Sequence, residues 1–390
     1  MTAMELKKVK KILALHSKEK QELSVLHLVG SRVSKYYFNL SWFWSNEVKK
    51  LQHVKEYFVV VHPDGFWQIG ESKDSLSAML SMSDMLDKLP RVDVVVPHMY
   101  CFPGMTSYRA FFEDILNIPV VGPTAYSMGL ATDKAQTRNI VSKAGITVAK
   151  AQELRKGDEI KMKLPFIIKP NSEDNSLGVT LVKRKNQIKA ALTLAFKFDE
   201  VVLVEDYIPG REIRVAVINI NEELWIPPIL EYLLTKENPI RTIDNKFGPT
   251  SNNKDFDWHK SKSVCPAQVD KKLFNKLTTA AKISHQALGC KDYSFWEFRI
   301  HEKTNEPYLL EACPFWSFSE LTSPLSKTVL AAGISIEDIT SKIWSSASKR
   351  SKVGRGSHFK YIENKQVNKK RINYLKRKTM LDKFLSLITK

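Results

Sequence analysis

A lysine at the end of a short apolar segment, followed by a small polar turn, is the clearest chemical feature of this chain. Residues 165–170 (PFIIKP) place Lys169 at the end of a predicted strand, and residues 171–178 (NSEDNSLG) follow at once. The ammonium group supplies a point charge for phosphate oxygens, Ser176 supplies a hydrogen-bond donor, and Gly178 allows the backbone to turn back. The pattern predicts a loop that covers nucleotide phosphates.

A second apolar strand ends in the polar hinge Glu205-Asp206-Tyr207-Ile208. The backbone N–H and C=O groups of such a hinge can hydrogen-bond the edge of an adenine ring, while Tyr207 and Ile208 pack on its faces. Glu212 begins the next predicted strand, where a carboxylate can accept hydrogen bonds from two ribose hydroxyls. The hinge and Glu212 therefore predict a site for the nucleoside.

Three further cations are candidates for contacts with phosphate. Lys134 lies at the start of a predicted helix, and together with Lys169 it can flank a triphosphate. Arg214 shares a strand face with Glu212, because alternate residues of a strand point to the same side, and it can stabilise a phosphate or a developing oxyanion. Lys246 lies in an irregular polar segment (RTIDNKF) and can fold over the γ-phosphate. For each of them the alternative is a solvated surface residue.

Two acidic residues, Glu297 and Glu311, lie in the successive predicted strands 293–301 and 307–312. Buried carboxylates on neighbouring strands repel each other unless a cation lies between them. Mg²⁺ prefers oxygen ligands and substrate phosphates, so the pair predicts a magnesium site. Arg299 shares a strand face with Glu297, so a salt bridge between them is the alternative interpretation.

The apolar pattern also predicts the elements that position these residues. Strands alternate with helices over residues 20–122, which indicates a parallel α/β domain. Its predicted strands are 24–30, 57–62, 92–96 and 119–122, and its predicted helices are 31–44, 76–89 and 108–116. Residues 123–200 are predicted as a small α+β unit around the phosphate loop. Residues 201–345 are predicted as a last domain, with strands at 201–205, 212–220, 226–233, 293–301 and 307–312 and a helix at 273–288.

The positive charge of the chain is concentrated at its two ends. Of the net charge of +18, residues 1–20 carry +4 and residues 349–390 carry +12. The body is nearly neutral, so no nucleic-acid-binding surface is predicted on it. Residues 1–19 are predicted as a basic extension, and residues 346–390 as a linker with a basic tail helix at 367–388. That helix can contact an anionic surface or dock on its own domain.

The remaining composition narrows the class of protein. Cys101, Cys265, Cys290 and Cys313 are scattered without CxxC spacing, so neither a zinc site nor a disulfide framework is predicted. We expect reduced thiols and a cytoplasmic location. The sequence contains no apolar run of about 18 residues, so no membrane span is predicted.

Several of these motifs together resemble the ATP-grasp superfamily, in its D-alanine–D-alanine ligase-like branch. The segments are 122–146 (GPTAYSMGLATDKAQTRNIVSKAGI), 165–179 (PFIIKPNSEDNSLGV) and 204–215 (VEDYIPGREIRV). The resemblance covers about residues 20–340. It implies an ATP-grasp fold, with a parallel α/β N-terminal domain, a small central lid domain and a C-terminal catalytic domain with an antiparallel sheet. The residues that it implies for ATP are Lys134, Lys169, Glu205, Glu212 and Lys246, and those for Mg²⁺ are Glu297 and Glu311.

A narrower resemblance connects segments 99–112 (MYCFPGMTSYRAFF), 285–300 and 310–318 to the mycosporine-glycine–amine ligases. It implies that ATP phosphorylates an oxygen of mycosporine-glycine and that an amino acid then displaces the phosphate, which yields an imino-mycosporine, ADP and phosphate. Tyr108 and Arg109 offer polar groups for the amine. Relatives commonly dimerise through the first domain, which implies a homodimer. The alternatives are an amino acid dipeptide ligase and a catalytically inactive protein that binds nucleic acid or membranes through its basic ends.

Four positions depart from the pattern of peptide-forming relatives, and one of them is Glu297, where the first metal acid is usually Asp. Phe295 stands where those relatives carry Arg, Cys313 where they carry Asn, and Asp174 where Gly is common. The loss of the Arg removes a donor for a tetrahedral acyl intermediate, and the loss of the Asn weakens a second metal. These departures favour an atypical acceptor. Arg214 or Arg299 can replace the missing positive charge.

Overall fold

The computed structural model of the chain describes residues 22–174, 176–241, 262–320 and 323–350. Lys246, the basic N-terminal extension and the tail helix at 367–388 lie outside the described residues.

The first sheet follows the predicted alternation of strands and helices and has the order β3-β2-β1-β4. β1 pairs in parallel with both β2 and β4, whereas β3 is an antiparallel edge strand. The strand expected at 119–122 is reduced to one bridge between Val95 and Val120, because Pro119 has no N–H to extend the ladder. The strands are β1 (Leu23–Gly30), β2 (Val54–Val61), β3 (Trp67–Gly70) and β4 (Val94–Pro97).

Short helices connect these strands. The helix expected at 76–89 is confined to six residues, since the Ser81 side chain accepts a hydrogen bond from the Asp84 N–H and so caps the helix there. The helix expected at 108–116 is observed as a short α-helix at 107–110 that continues as a π-helical turn at 111–115, and a further short α-helix at 102–105 precedes it. The elements are α1 (Lys35–Asn46), α2 (Met82–Asp87), α3 (Phe102–Met105), α4 (Ser107–Ala110) and the π-helix Phe111–Ile115.

A small antiparallel sheet follows, in the order β5-β8-β6-β7. Apolar residues such as Phe166 and Ile168 fill its core. Its strand β8 lies beyond the predicted domain limit at 200, yet β8 pairs with β5 and β6 of this sheet; the domain limits stay a prediction. The elements are α5 (Ala125–Thr132), α6 (Lys134–Lys143), β5 (Ala151–Leu154), β6 (Phe166–Pro170), β7 (Thr180–Val182), the 3₁₀ turn Lys185–Gln187, α7 (Ile188–Ala195) and β8 (Val202–Asp206).

The large sheet has the order β12-β11-β9-β13-β14, with β10 paired to β9. The strand expected at 226–233 is interrupted, because Pro227 and Pro228 cannot donate hydrogen bonds. The elements are β9 (Gly210–Ile220), β10 (Glu223–Trp225), β11 (Leu230–Tyr232), β12 (Ser263–Val264), α8 (Lys271–Ala287), β13 (Tyr293–His301), β14 (Pro307–Ala312), α9 (Pro324–Leu330) and α10 (Ile336–Ser348).

The two faces of the large sheet have different partners. Ile213, Val215 and Val217 of β9 belong to a core that includes Leu277 of α8. Alternate residues of a strand point to opposite faces, so Glu212 and Arg214 lie on the other face. That second face carries the charged residues of the candidate site. No helix in the described ranges combines the length and apolar character needed to cross a bilayer.

Candidate active site

A cavity of about 90 Å³ between the small and the large sheet collects most of the predicted site residues. We call it the inter-sheet cavity. The small sheet contributes the end of β6 and the hinge after β8, and the large sheet contributes β9, β13 and β14. The predicted residues that line it are Lys134, Lys169, Ser176, Glu205, Asp206, Tyr207, Ile208, Glu212, Glu297, Arg299 and Glu311.

The strand register explains why charges of both signs cross the large sheet in rows. Arg214 on β9 lies opposite Glu297 on β13, and Glu297 lies opposite Glu311 on β14. Two residues along each strand from this pair, Glu212 on β9 lies opposite Arg299 on β13. Side chains that face each other across strands are close enough to interact. Between β9 and β13 the register therefore sets each acid opposite a cation, and Glu311 on β14 adds a second acid beside Glu297.

The contacts show that guanidinium groups neutralise the predicted metal acid Glu297. The Arg214 Nε donates to the Glu297 Oε2 at 2.5 Å. Glu297 pairs with Arg214 rather than with Arg299, the alternative partner on its own strand, whose Nη1 lies 3.6 Å from the carboxylate of Glu212. Glu311 is less engaged, with Lys134 Nζ and Arg214 Nη2 each 4.0 Å from its carboxylate.

Arg241 is a site residue that the sequence pattern did not reveal. It donates to Glu212 and, at 2.8 Å, to the Glu297 Oε2, and its guanidinium stacks 3.6 Å from the centre of the Tyr232 ring. Burial raises the pKa of the Glu212 carboxyl, Arg241 opposes that shift, and Glu297 adds to it. Arg241 is the first residue of the segment 241–247, which also contains the predicted phosphate contact Lys246. Nothing in the local sequence pattern distinguishes the two cations.

A buried cluster holds Lys169 at the end of β6. Its ammonium lies 2.5 Å from the Glu205 Oε1, and the Arg138 Nη1 of α6 donates to the Glu205 Oε2 at 3.0 Å. All three residues are at least nine-tenths buried. Both oxygens of Glu205 thus hold cations, and Glu205 positions Lys169 beside the cavity. The sequence alone does not predict a role for Arg138, because the local pattern of a helix does not show that its arginine contacts Glu205 in a distant strand.

The predicted phosphate loop is fastened to the start of α6. The Asn171 Oδ1 accepts a hydrogen bond from the Ala135 N–H at 2.9 Å. The Lys134 Nζ donates to the backbone oxygens of Asn171, at 3.4 Å, and of Glu173. Gly178 has a φ of +69°, and a Cβ there would lie 2.8 Å from the Pro170 side chain, so glycine is required at this turn.

The departure at Asp174 has a structural consequence. Burial raises the pKa of the Tyr100 phenol, and a hydrogen-bonded contact with Asp174 raises it further. Tyr100 follows β4 of the first sheet, whereas Asp174 belongs to the loop of the small sheet. The Asp174 side chain therefore connects the loop to the N-terminal part of the chain, which a glycine at this position cannot do.

A second, larger cavity of about 500 Å³ adjoins the inter-sheet cavity. We call it the large cavity. Lys134, Glu173, Arg241 and Glu311 line both cavities, so they mark the junction between them. Arg214 lines the large cavity only. The two cavities provide adjacent compartments, which is the arrangement that group transfer between two bound molecules requires.

The two residues expected to bind the amine lie elsewhere. Among the described residues that line the two cavities, neither Tyr108 nor Arg109 is found. The Arg109 guanidinium is buried and donates to the carbonyl oxygens of Val121, at 2.8 Å, and Pro123, at 3.0 Å. Tyr108 packs edge-on against Trp67. Arg109 therefore fixes the chain after the first sheet, a role that its local sequence does not indicate.

Comparison with known proteins identifies the family. The model of the D-Ala–D-Ala ligase C-terminus matches residues 132–345, which is more than half of the chain. The chain belongs to the D-alanine–D-alanine ligase family. A D-alanine–D-alanine ligase of Flavobacterium johnsoniae is 30% identical over 261 residues, covering 63% of this chain and 74% of that protein. One of Geotalea uraniireducens is 28% identical over 239 residues, covering 60% and 72%.

Solved structures of a D-Ala:D-Ser ligase and of D-alanine–D-alanine ligases share the fold of this chain. The VanG D-Ala:D-Ser ligase of Enterococcus faecalis has a TM-score of 0.67 at 22% identity and covers 84% of this chain and 100% of that one. The D-alanine–D-alanine ligase of Bacillus anthracis complexed with ATP has a TM-score of 0.62 at 20% identity, with coverage of 83% and 97%. The predicted ATP-grasp fold is confirmed.

The family makes the chain an ADP-forming ATP-grasp ligase. The family and the fold agree with the resemblance to the D-alanine–D-alanine ligase-like branch of the ATP-grasp superfamily. The narrower resemblance, to mycosporine-glycine–amine ligases, receives no support from these relatives.

Proposed function

We propose that the chain is a Mg²⁺-dependent ligase that phosphorylates the carboxylate of one small molecule with ATP and joins it to the amine of an amino acid. The observation that carries this proposal is the pair of adjacent cavities, with Lys134, Arg241 and Glu311 at their junction. A γ-phosphoryl group at the junction faces an acceptor in the large cavity. D-Alanine is the substrate named for the relatives, so a dipeptide ligase is the preferred form of the proposal.

The predicted magnesium site fits the donor groups that are present. The described residues contain no cluster of three or more His, Cys, Asp or Glu side chains that can hold a metal. A metal at this site must therefore share its coordination with ATP phosphates, as Mg²⁺ commonly does. The Glu311 carboxylate, about a quarter exposed and 4.0 Å from its cationic neighbours, is the better placed of the two predicted ligands. The Glu297 Oε2 accepts hydrogen bonds from Arg214 and Arg241, so Glu297 must exchange one of these partners to bind the ion. When bound, Mg²⁺ supplies charge neutralisation at the transferred phosphoryl group.

The chain's own residues supply binding and orientation. Lys169, fixed by Glu205, and Lys134, fixed by loop carbonyls, bind phosphate oxygens from two sides. Tyr207 and Ile208 pack on the adenine ring, and Glu212 accepts the ribose hydroxyls. The loop 171–178, held to Tyr100 through Asp174, excludes water from a phosphorylated intermediate. Arg214 and Arg241 face the developing negative charge at the junction.

An imino-mycosporine synthetase is the second candidate, and the positions of two departures favour it. Phe295 lies beneath the Arg214 guanidinium, 5.3 Å from ring centre to Cζ, and so takes the place of a polar donor. Burial raises the pKa of the Cys313 thiol, which keeps it neutral and makes it a poor ligand for Mg²⁺. Both residues line the large cavity and support an acceptor that differs from D-alanine. A homodimer, a cytoplasmic location and a tail contact with anionic surfaces stay predictions.

The test is ADP release from ATP and Mg²⁺ with a panel of acceptors and amines, with products read by mass spectrometry. We expect ADP to appear only when acceptor and amine are both present, and to be nearly abolished by Glu311→Gln. Glu302→Gln, an exposed acid just beyond β13, is the matched control and is expected to behave as the unmodified protein. Full amine-dependent ADP release by Glu311→Gln contradicts the proposal, and a new ultraviolet chromophore identifies the mycosporine case.

A further inference from the structure

The large cavity is too spacious for alanine. Its volume is about 500 Å³, within the range of cavities that enclose drug-sized ligands. Alanine has six non-hydrogen atoms, and at about 30 Å³ per atom, a generous figure taken from liquid water, it fills roughly 180 Å³. Even two alanine molecules therefore leave part of the cavity empty.

The lining of the cavity is polar at one end, and the rest of it is mainly apolar, with some hydroxyl side chains and the charged residues Glu320 and Lys327. Lys134, Arg241 and Glu311 form the polar end, because they are shared with the inter-sheet cavity. Tyr100 and Phe315 meet edge to face, with ring centres 4.8 Å apart, and make an aromatic wall. The other apolar residues that line the cavity include Met105, Met128, Pro324, Leu325 and Leu330.

The charged side chains of the apolar part already have partners. Glu320 pairs with Lys49, and the Lys327 Nζ donates to the Ser263 Oγ at 2.8 Å. The Glu320 charge is therefore compensated by an ion pair, and the charge of Lys327, an exposed residue, is screened by solvent. The apolar wall instead favours a ligand that buries hydrocarbon, at about 25 cal/mol per Å² of apolar surface removed from water.

We infer that the acceptor bound in the large cavity is a carboxylic acid with an aromatic or branched apolar body. Its carboxylate lies at the junction, within reach of the transferred phosphoryl group, and its body lies against Phe315 and Leu330. This inference rests on the proposed function and specifies its substrate class. An extra methylene in an apolar pocket is worth about 10-fold or more in kcat/KM, so a benzyl or isobutyl side chain is expected to exceed alanine by at least that factor.

The experiment compares kcat/KM for ADP release with alanine, leucine and phenylalanine of both configurations, each offered as acceptor with a saturating amine. Phenylalanine or leucine at least tenfold above alanine supports the inference. Alanine equal to or above both overturns it and leaves the proposed ligase function intact. No ADP release with any member overturns both.

A variant that fills the cavity gives an independent measurement. Leu330→Trp adds bulk at the cavity wall, and because Leu330 is 38% exposed the larger side chain does not have to be buried entirely. The ratio of kcat/KM for phenylalanine to that for alanine is expected to fall at least tenfold. Leu330→Phe repeats the test with a smaller insertion if the tryptophan variant does not fold. Leu233→Trp, at an exposed leucine outside both cavities, is the matched control, and an unchanged ratio in both Leu330 variants overturns the inference.

Discussion

Replacing Lys169 by methionine tests how the phosphate site is built. The substitution keeps the length of the side chain but removes its ammonium, which lies 2.5 Å from the Glu205 Oε1. Lys169 and Glu205 are 6% and 3% exposed, so the carboxylate left behind cannot recover its hydration. Two effects are expected, one on stability and one on ATP binding.

The magnitude of the stability effect follows from the second partner of Glu205. Breaking a buried ion pair by removing one partner costs about 3–5 kcal/mol. Arg138 still neutralises Glu205, at 3.0 Å, so we expect a smaller loss of about 2 kcal/mol in the free energy of unfolding. The loss of one charged hydrogen bond to phosphate costs about 1.5–3 kcal/mol. That corresponds to roughly a 10- to 150-fold increase in the Kd for ATP.

Urea unfolding measures the first effect, and titration calorimetry with ATP and Mg²⁺ measures the second. Lys183→Met, at an exposed lysine just beyond β7 of the same sheet, is the matched control and is expected to change neither quantity. Lys169→Arg is expected to restore part of the ATP affinity, because it returns a cation to the site. A Kd for ATP within twofold of the original in a cooperatively folded Lys169→Met variant would refute the assignment.

Three further perturbations test other parts of the account. Burial lowers the pKa of His285 to about 4, below its unfolded value of about 6.5. The neutral imidazole therefore contributes its full stability above pH 6.5, and this contribution is lost as the pH falls toward 4. In urea unfolding, His285→Gln should remove up to about 3 kcal/mol of the pH dependence of the free energy of unfolding. Arg241→Met removes a cation that opposes the raised pKa of Glu212, so kcat/KM for ADP release should fall at least tenfold and its acidic limb should move to higher pH. Gly178→Ala places a Cβ at a φ of +69° and 2.8 Å from the Pro170 side chain, and should lower stability by about 1–2 kcal/mol.

Each of these outcomes has a clear contradiction. An unchanged pH dependence of stability in His285→Gln means that the buried imidazole is not a source of acid sensitivity. An unchanged acidic limb in Arg241→Met means that its contact with Glu212 does not set the charge of the site. Arg211→Met serves as its control, since Arg211 pairs with Glu231 and lines neither cavity in the described part of the chain. Unaltered stability in Gly178→Ala means that the turn relaxes without cost.

Residues that are close in sequence were predictable, and residues joined only by the fold were not. The hinge Glu205-Asp206-Tyr207-Ile208 and the loop lysine Lys169 each follow an apolar strand, so the local pattern places them at strand ends, and all of them line the inter-sheet cavity. Strand alternation likewise put Arg214 beside Glu212 on one face. The ATP-grasp fold followed from the order of such motifs along the chain.

Long-range charge pairing set the limit of sequence reasoning. Arg138 meets Glu205, 67 positions away, and Arg241 meets Glu297, 56 positions away; neither partner can be read from local spacing. Arg109 was expected in a substrate site, but its guanidinium is buried on backbone carbonyls. The alternative pairing of Glu297 with Arg299 gives way to one with Arg214 for the same reason, since the register of β9 against β13 places Arg214 opposite Glu297.

A crystal structure with a non-hydrolysable ATP analogue and Mg²⁺ tests the central claim most directly. We expect the triphosphate between Lys134 and Lys169, the adenine against Tyr207 and Ile208, and the ion within coordination distance of Glu311. A nucleotide bound outside the inter-sheet cavity, with these side chains unmoved and empty of ligand, would contradict the account.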